Sequence, residues 1–263
     1  MVNEGDVLGA PEQSTTATGV PVVESQAINK FFGGVRALAD VSLSFFSGEV
    51  VALVGDNGAG KSTFTRIIAG VEKADSGTLF YNGVKVVRPS PRLAQKEGVE
   101  VVPQDLALCD NLGASMNVVL GSPPLKFRFC GVGVIDRRKA EALARRSMHE
   151  VGATITDFDT PIRRMSGGQR QAIAIGRALT RGGRMVIFDE PTAALGVRQR
   201  VSTLGLIRRV ADRGLATVII SHNVDDVFAV ADRVVAFRLG RVVLDQPLAA
   251  TTQAAVRRAM EGI

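Results

Sequence analysis

Apolar positions change their period several times along this chain, and each change predicts a different element. From Pro21 onward, residues 22–30 and 38–46 read as short strands; in the second, Val41, Leu43 and Phe45 alternate with Ser42 and Ser44. That two-residue period marks a strand with one buried face, as in an antiparallel sheet. Three other runs, Val50–Val54, 185–188 and 215–220, are almost wholly apolar. Strands buried in a parallel sheet read this way. Residues 78–83 have the form of one hairpin arm with Asn82-Gly83 at its tip. Residues 98–105 read as a further short strand ending in a polar loop, and 234–237 with 241–244 as a last hairpin pair around Gly240.

Helical spacing takes over between these pieces. Residues 64–70 read as a helix ending at Gly70, and the whole stretch 111–152 as helical. Its clearest part starts at the N-cap Asp136, runs through Ala140, Leu143, Ala144, Ser147 and Val151, and stops at Gly152. Arg137, Arg138, Glu141, Arg145, Arg146, His149 and Glu150 form its expected wet face. Further helices are expected through Ala172, Ile175, Gly176 and Leu179, and over 224–231. Residues 1–20 are polar, Gly- and Pro-containing and aperiodic, which predicts a disordered tail.

Candidate chemistry gathers where these elements join. The string Gly55-Asp56-Asn57-Gly58-Ala59-Gly60-Lys61-Ser62-Thr63 connects a buried strand to a helix, the context that a phosphate-binding loop needs. Its glycines let the backbone turn its N–H groups inward, and the helix start adds the positive end of its dipole. Lys61 then suits the β- and γ-phosphates of a nucleoside triphosphate, and the Ser62 hydroxyl suits Mg²⁺. A second glycine-rich helix start, Met165-Ser166-Gly167-Gly168-Gln169-Arg170-Gln171, places Ser166 as N-cap and is a second candidate anion cradle.

Asp189 and Glu190 emerge at the C-terminal end of an apolar strand, where α/β sheets place their ligands. Asp189 suits Mg²⁺ held through water, and Glu190 suits polarising an attacking water. His222 ends the strand read over 215–222, in a position to sense a γ-phosphate. Two residues stay open on pattern alone. Phe32, beside Gly33-Gly34, is either a core aromatic or a stacking platform for adenine, and Gln104 is either a solvated loop residue or part of the site.

Composition narrows the partners. The net charge of +6 is spread along the 263 residues, without the dense basic cluster and interleaved aromatics of a nucleic-acid face, so no nucleic-acid partner is expected. The two cysteines, Cys109 and Cys130, lack metal-ligand spacing, which fits a reduced cytosolic protein. No apolar run approaches the ~18 residues of a membrane span, and no secretory leader pattern opens the chain. Work at a membrane would therefore require other chains to cross it. The short stretch after Met260 leaves no room in this sequence for a second large domain.

Taken in order, the phosphate loop, Gln104, Ser166-Gly167-Gly168-Gln169, Asp189-Glu190 and His222 make the chain from about Val22 onward resemble the nucleotide-binding subunit of ATP-binding cassette (ABC) transporters. The resemblance implies an α/β P-loop NTPase cassette over 21–263, with a mixed RecA-like core, an antiparallel β subdomain and a helical signature subdomain over about 105–180. It implies ATP and Mg²⁺ as ligands, with Phe32 stacking on adenine and Glu190 as the catalytic carboxylate. His222 would contact the γ-phosphate, and Gln104 would lie in the loop that links Mg²⁺, held also by Ser62 and Asp189, to a membrane partner.

The same resemblance implies that Ser166, Gly167, Gly168 and Gln169 complete the site of a second copy in a head-to-tail homodimer. It further implies membrane-spanning permease subunits, an external solute-binding protein acting indirectly, and a location on the cytoplasmic face of the inner membrane. Met165 stands where leucine is usual, and Gly196 where an acid is common. The string from Asp189 to Val197, Asp-Glu-Pro-Thr-Ala-Ala-Leu-Gly-Val, resembles the version in ribose, xylose and fructose-type sugar importers, which implies a monosaccharide cargo. Import of branched-chain amino acids or another solute, and a soluble cassette ATPase acting on nucleic acid or ribosomes, are the competing readings.

Overall fold

The computed structural model describes residues 19–129, 132–193 and 195–263. Apart from Gly19 and Val20, the expected tail over 1–20 lies outside the described residues. In chain order, β1 (Val23–Phe32) and β2 (Val35–Phe45) form a hairpin, and β3 (Val50–Val54) leads into α1 (Lys61–Ile68). A second hairpin joins β4 (Ser76–Tyr81) to β5 (Val84–Lys85). Its tip is the expected Asn82-Gly83, both left-handed at φ +50° and +78°, as a two-residue hairpin turn demands.

α2 (Pro91–Lys96) and β6 (Val99–Val102) come next, then α3 (Ala114–Val118), the hairpin β7 (Leu125–Phe129) and β8 (Val132–Ile135), α4 (Arg137–Val151) and α5 (Gly167–Thr180). β9 (Met185–Asp189), α6 (Val197–Asp212), β10 (Ala216–Ile220), α7 (Val224–Val230), β11 (Arg233–Arg238), β12 (Arg241–Pro247) and α8 (Gln253–Glu261) complete the chain.

A six-stranded sheet in the order β12-β11-β3-β10-β9-β6 is parallel except for its edge strand β12. β3 is fully buried because it has two dry faces. Val50, Ala52 and Val54 join a core with Val186, Phe188, Ile173, Ile207 and Val227, residues of the sheet and the helices. Val51 and Leu53 point the other way, into a core with Phe45, Tyr81, Phe64 and Phe237. Alternate side chains of one strand thus serve two cores, so the strand shows no polar period.

The second core is roofed by the four-stranded antiparallel sheet β2-β1-β4-β5 and by α1. In β2 the alternation of Val41, Leu43 and Phe45 with two serines points these apolar residues inward, as expected. Phe64 of α1 is the linchpin, with ring centroids 6.2 Å from Phe45 and 5.7 Å from Phe237. The Tyr81 hydroxyl donates 2.8 Å to the Ile68 carbonyl, fixing α1 to β4 while satisfying both polar groups.

The stretch 111–152 departs from the helical expectation. α3 is short, and the β7–β8 hairpin stands between it and α4. In β7 the sequence Leu-Lys-Phe-Arg-Phe alternates, which is a strand period; Leu125, Phe127 and Phe129 are 38%, 61% and 74% exposed, and the register against β8 shifts between Leu125 and Phe127. α4 itself follows the reading: Asp136 accepts from the Lys139 N–H, Gly152 closes the helix at φ +67°, and Arg145–Glu141 and Arg146–Glu150 pairs line its wet face. Leu143 proves partly exposed, and Met148 fills the core position instead. The helices α2, α6 and α8 lie outside the elements expected from the pattern.

Candidate functional site

The central sheet delivers its chemistry at the C-terminal ends of β3, β9 and β10. Between β3 and α1 the chain makes a tight loop that requires glycine: Gly55, Gly58 and Gly60 have φ of +140°, +83° and +111°. A Cβ on Gly60 would lie 2.9 Å from the Ala37 carbonyl oxygen and from Leu38, so no side chain fits there. As N-cap, Gly60 brings no side-chain acceptor to the first turn of α1. The free N–H groups of that turn face a cavity of ≈ 110 Å³ lined by residues 57–63, a cradle of the size and polarity that a phosphate group fits.

Lys61 folds back over this loop, its Nζ donating to the carbonyls of Gly55 at 2.5 Å and Asp56 at 2.9 Å. Burial pulls its ammonium below the ordinary lysine range, and the carboxylates of Glu190, Asp56 and Asp189 oppose that shift. Asp189 sits at the end of β9, opposite Ile220 of β10. Burial, then the adjacent Glu190 charge, raises its carboxyl above the usual range; Arg66 and Lys61 oppose the shift.

Ser62 and Asp189 line one cavity of ≈ 270 Å³ with Arg66, Val101 and Pro103, and the exposed Gln104 follows Pro103 directly. Among the described residues no three His, Cys, Asp or Glu side chains stand close enough to cage a metal. One hydroxyl and one carboxylate beside a phosphate cradle are nevertheless the donor set Mg²⁺ takes, since it keeps waters and phosphate oxygens in its shell. Arg66 escaped the sequence reading. Its place on α1, five residues beyond Lys61, was the available signal.

Glu190 adopts a left-handed φ of +47°, a conformation costing about 1–3 kcal/mol for a residue with a side chain and found mostly where function demands it. Its N–H donates 3.0 Å to the Ile220 carbonyl, and its carboxylate Oε1 lies 2.9 Å from Nδ1 of His222. The imidazole is largely exposed, at 70% of its side-chain surface, and Glu190 only at 20%. Carboxylate and imidazole are therefore brought together at the edge of the phosphate cradle, an arrangement able to orient a water and accept its proton.

Phe32 stands at the end of β1 with half its surface exposed, so of its two sequence alternatives it is not the core aromatic. Lys30 Nζ lies 5.2 Å from its ring centroid and is itself bound to Glu72 at 3.0 Å. Ser166 caps α5 as expected, in a reciprocal box: its hydroxyl accepts from the Gln169 N–H and the Gln169 side chain accepts from the Ser166 N–H. The cavities of the phosphate loop and of Asp189 are lined without any contribution from Ser166, Gly167, Gly168 or Gln169.

A family model described as "ABC transporter" matches residues 38–193. The chain is 40% identical to the fructose import ATP-binding protein of Rhizobium meliloti over 224 residues, 84% of this chain and 86% of that protein. It is 38% identical to the xylose/arabinose import ATP-binding protein of Sulfolobus acidocaldarius, again over 84% of this chain and 86% of the relative. An arabinose import ATP-binding protein of Azospirillum brasilense is 38% identical over 91% of this chain, which spans only 44% of that relative. Among solved structures, the ADP conformation of MJ1267, an ATP-binding cassette of an ABC transporter, superposes with a TM-score of 0.75 at 21% identity, covering 92% of this chain and 96% of that one. The dimeric structure of MJ0796, a bacterial ABC transporter cassette, gives 0.70 at 24% identity, covering 86% and 98%.

Proposed function

The chain belongs to the ABC transporter family, and on that premise we propose that it is the ATP-hydrolysing subunit of a monosaccharide importer. The observation that carries the ATPase reading is the meeting of the glycine cradle, Lys61, Asp189 and the Glu190–His222 pair at one end of the sheet. The relatives support the sugar, since each is an import ATP-binding protein for a pentose or for fructose.

In this reading the loop N–H groups and Lys61 hold the phosphates, and Phe32 stacks on the adenine. Ser62, Asp189 and Gln104 would hold a divalent ion, which when bound would neutralise phosphate charge. Glu190 draws a proton from water as its oxygen attacks the γ-phosphorus; the bond from that phosphorus to the β–γ bridging oxygen breaks, leaving ADP and phosphate. His222 keeps the Glu190 carboxylate oriented and contacts the γ-phosphate.

Ser166 and Gln169 stand apart from this cradle within one chain, which supports a head-to-tail dimer in which they complete the partner copy's site. No helix among the described residues is long and apolar enough to cross a membrane, so association with the cytoplasmic membrane face would run through permease subunits. The exposed Phe127 and Phe129 of the β7–β8 hairpin support that hairpin as part of the permease contact.

The test is uptake by vesicles holding this chain with its co-purified permease, using labelled sugars and ATP on the cassette side. ATP-dependent uptake of one monosaccharide, lost in Glu190→Gln, is the expected result. ATP turnover without movement of any sugar, but with uptake of an amino acid, would overturn the cargo; undiminished turnover in Glu190→Gln would overturn the role of that carboxylate.

A further inference from the structure

Asp226, in the first turn of α7, is a carboxylate only 2% exposed, buried like the apolar Val224, Val227 and Val230 of the same helix. A charge so placed is costly unless it is fully paired. Its bonds do pair it, and they do not serve its own helix. The N-cap of α7 is Asn223, whose side chain accepts from the Asp225 N–H, and the Ser221 hydroxyl accepts from the Asn223 N–H. With its cap already supplied, α7 has no local need of Asp226.

Both oxygens of Asp226 reach instead to the segment that follows Glu190. Oδ2 accepts a 2.6 Å hydrogen bond from the Thr192 hydroxyl, and Oδ1 accepts from Nε of Arg200 in the first turn of α6. Thr192 lies two residues beyond Glu190, and Asp226 lies four residues beyond His222. The N-cap of α6 is Gly196, which gives its first turn no side-chain cap. One buried carboxylate therefore ties the strand end that carries Glu190, and the helix after it, to the helix that follows His222.

We propose that Asp226 is a positioning residue for hydrolysis: through Thr192 and Arg200 it holds the Glu190 and His222 segments at the separation that keeps the carboxylate and imidazole in contact. The proposal rests on the hydrolytic reading above for its effect on rate, and on geometry alone for its effect on the Glu190–His222 contact. The pairing of β9 with β10, down to the Glu190 N–H bond to the Ile220 carbonyl, fixes the two strand ends; Asp226 adds a side-chain tie between the segments that continue beyond those ends.

The test uses the full chain and three substitutions, Asp226→Ala, Thr192→Val and Arg200→Gln, with two independent readouts. The chain contains only two histidines, so imidazole NMR signals of His222 are separable from those of His149 by a His149→Gln background. The expected result is a displaced His222 signal in each variant. It comes with a kcat lowered about 10- to 100-fold in Asp226→Ala, the order that misplacing a reacting group by about an ångström costs, while affinity for an ATP analogue stays within about twofold, since no phosphate contact is touched. Thr192→Val and Arg200→Gln each remove one arm and retain the other, so they decide the matter if Asp226→Ala fails to fold. An unmoved His222 signal in folded variants overturns the proposal, as does a parallel loss of kcat and nucleotide affinity. If Glu190→Gln leaves turnover intact, the hydrolytic role of Glu190 falls, and the His222 signal still decides whether Asp226 sets the contact.

Discussion

Asp189 shows how a site residue opposes the fold that carries it. Burial and the neighbouring Glu190 hold its carboxyl above the ordinary range. A group whose folded pKa exceeds its unfolded value adds stability in full below the unfolded pKa, and that contribution is lost as pH rises through the folded pKa. Above the unfolded pKa, neutral pH included, Asp189 therefore costs the folded state stability. Asp189→Asn is expected to raise Tm at pH 7 while abolishing Mg²⁺-dependent turnover, and the gain in Tm should close as the pH falls into the carboxylate range. Calorimetry at both pH values measures this, and a lower Tm at pH 7 would contradict it. Glu190 follows the same logic through its backbone, since its left-handed φ spends stability where the carboxylate must face His222.

At the scale of elements, much was legible. The Gly55-to-Thr63 string announces a strand–loop–helix unit because only glycine fits the left-handed positions it occupies, and Asn82-Gly83 announces a hairpin because asparagine and glycine both tolerate the left-handed φ of its turn. Ser166, Asp136 and Gly152 mark helix ends through caps that need no tertiary context. What stayed illegible depends on neighbours distant in sequence. The β7–β8 hairpin sits in a region with helical spacing on both sides, so its short strand period was absorbed into the helix reading. Arg66 and Asp226 gain meaning only from Asp189 and from Thr192 and Arg200, which no local pattern places beside them. Phe64, by contrast, combines both kinds of information: local helix spacing and packing between Phe45 and Phe237. Phe64→Ala should cost about 3–5 kcal/mol, the range for removing a buried aromatic, read as a lower denaturant midpoint with the slope unchanged. A cost under about 1 kcal/mol, the scale of a surface change, would show that α1 is held mainly by other contacts.

For the whole molecule, the exposed hairpin lets the chemistry be tested apart from the proposed permease contact. Phe127 and Phe129 are remote in sequence from every residue of the phosphate cradle and are exposed. The double substitution Phe127→Ser and Phe129→Ser is expected to leave the ATPase rate of the isolated chain unchanged within about twofold, as substitutions on a solvated surface do. In permease-containing vesicles the same change should lower both retention of the chain and sugar uptake. Equal retention by flotation would show that the permease contact lies elsewhere. The double dryness of β3 has a separate consequence for how the protein is made. Its two sheet neighbours, β10 and β11, belong to residues 216–220 and 233–238, and the Val50 N–H closes its bond on Asp232. At synthesis rates of about 5–20 residues per second, the central strand waits on the order of ten seconds or more for both flanks. During that wait a five-residue apolar ribbon has neither edge paired, which is the condition for aggregation. A chain cut after residue 212 should therefore emerge insoluble or bound to chaperones, although it already contains the phosphate loop, Ser166 to Gln169 and Glu190.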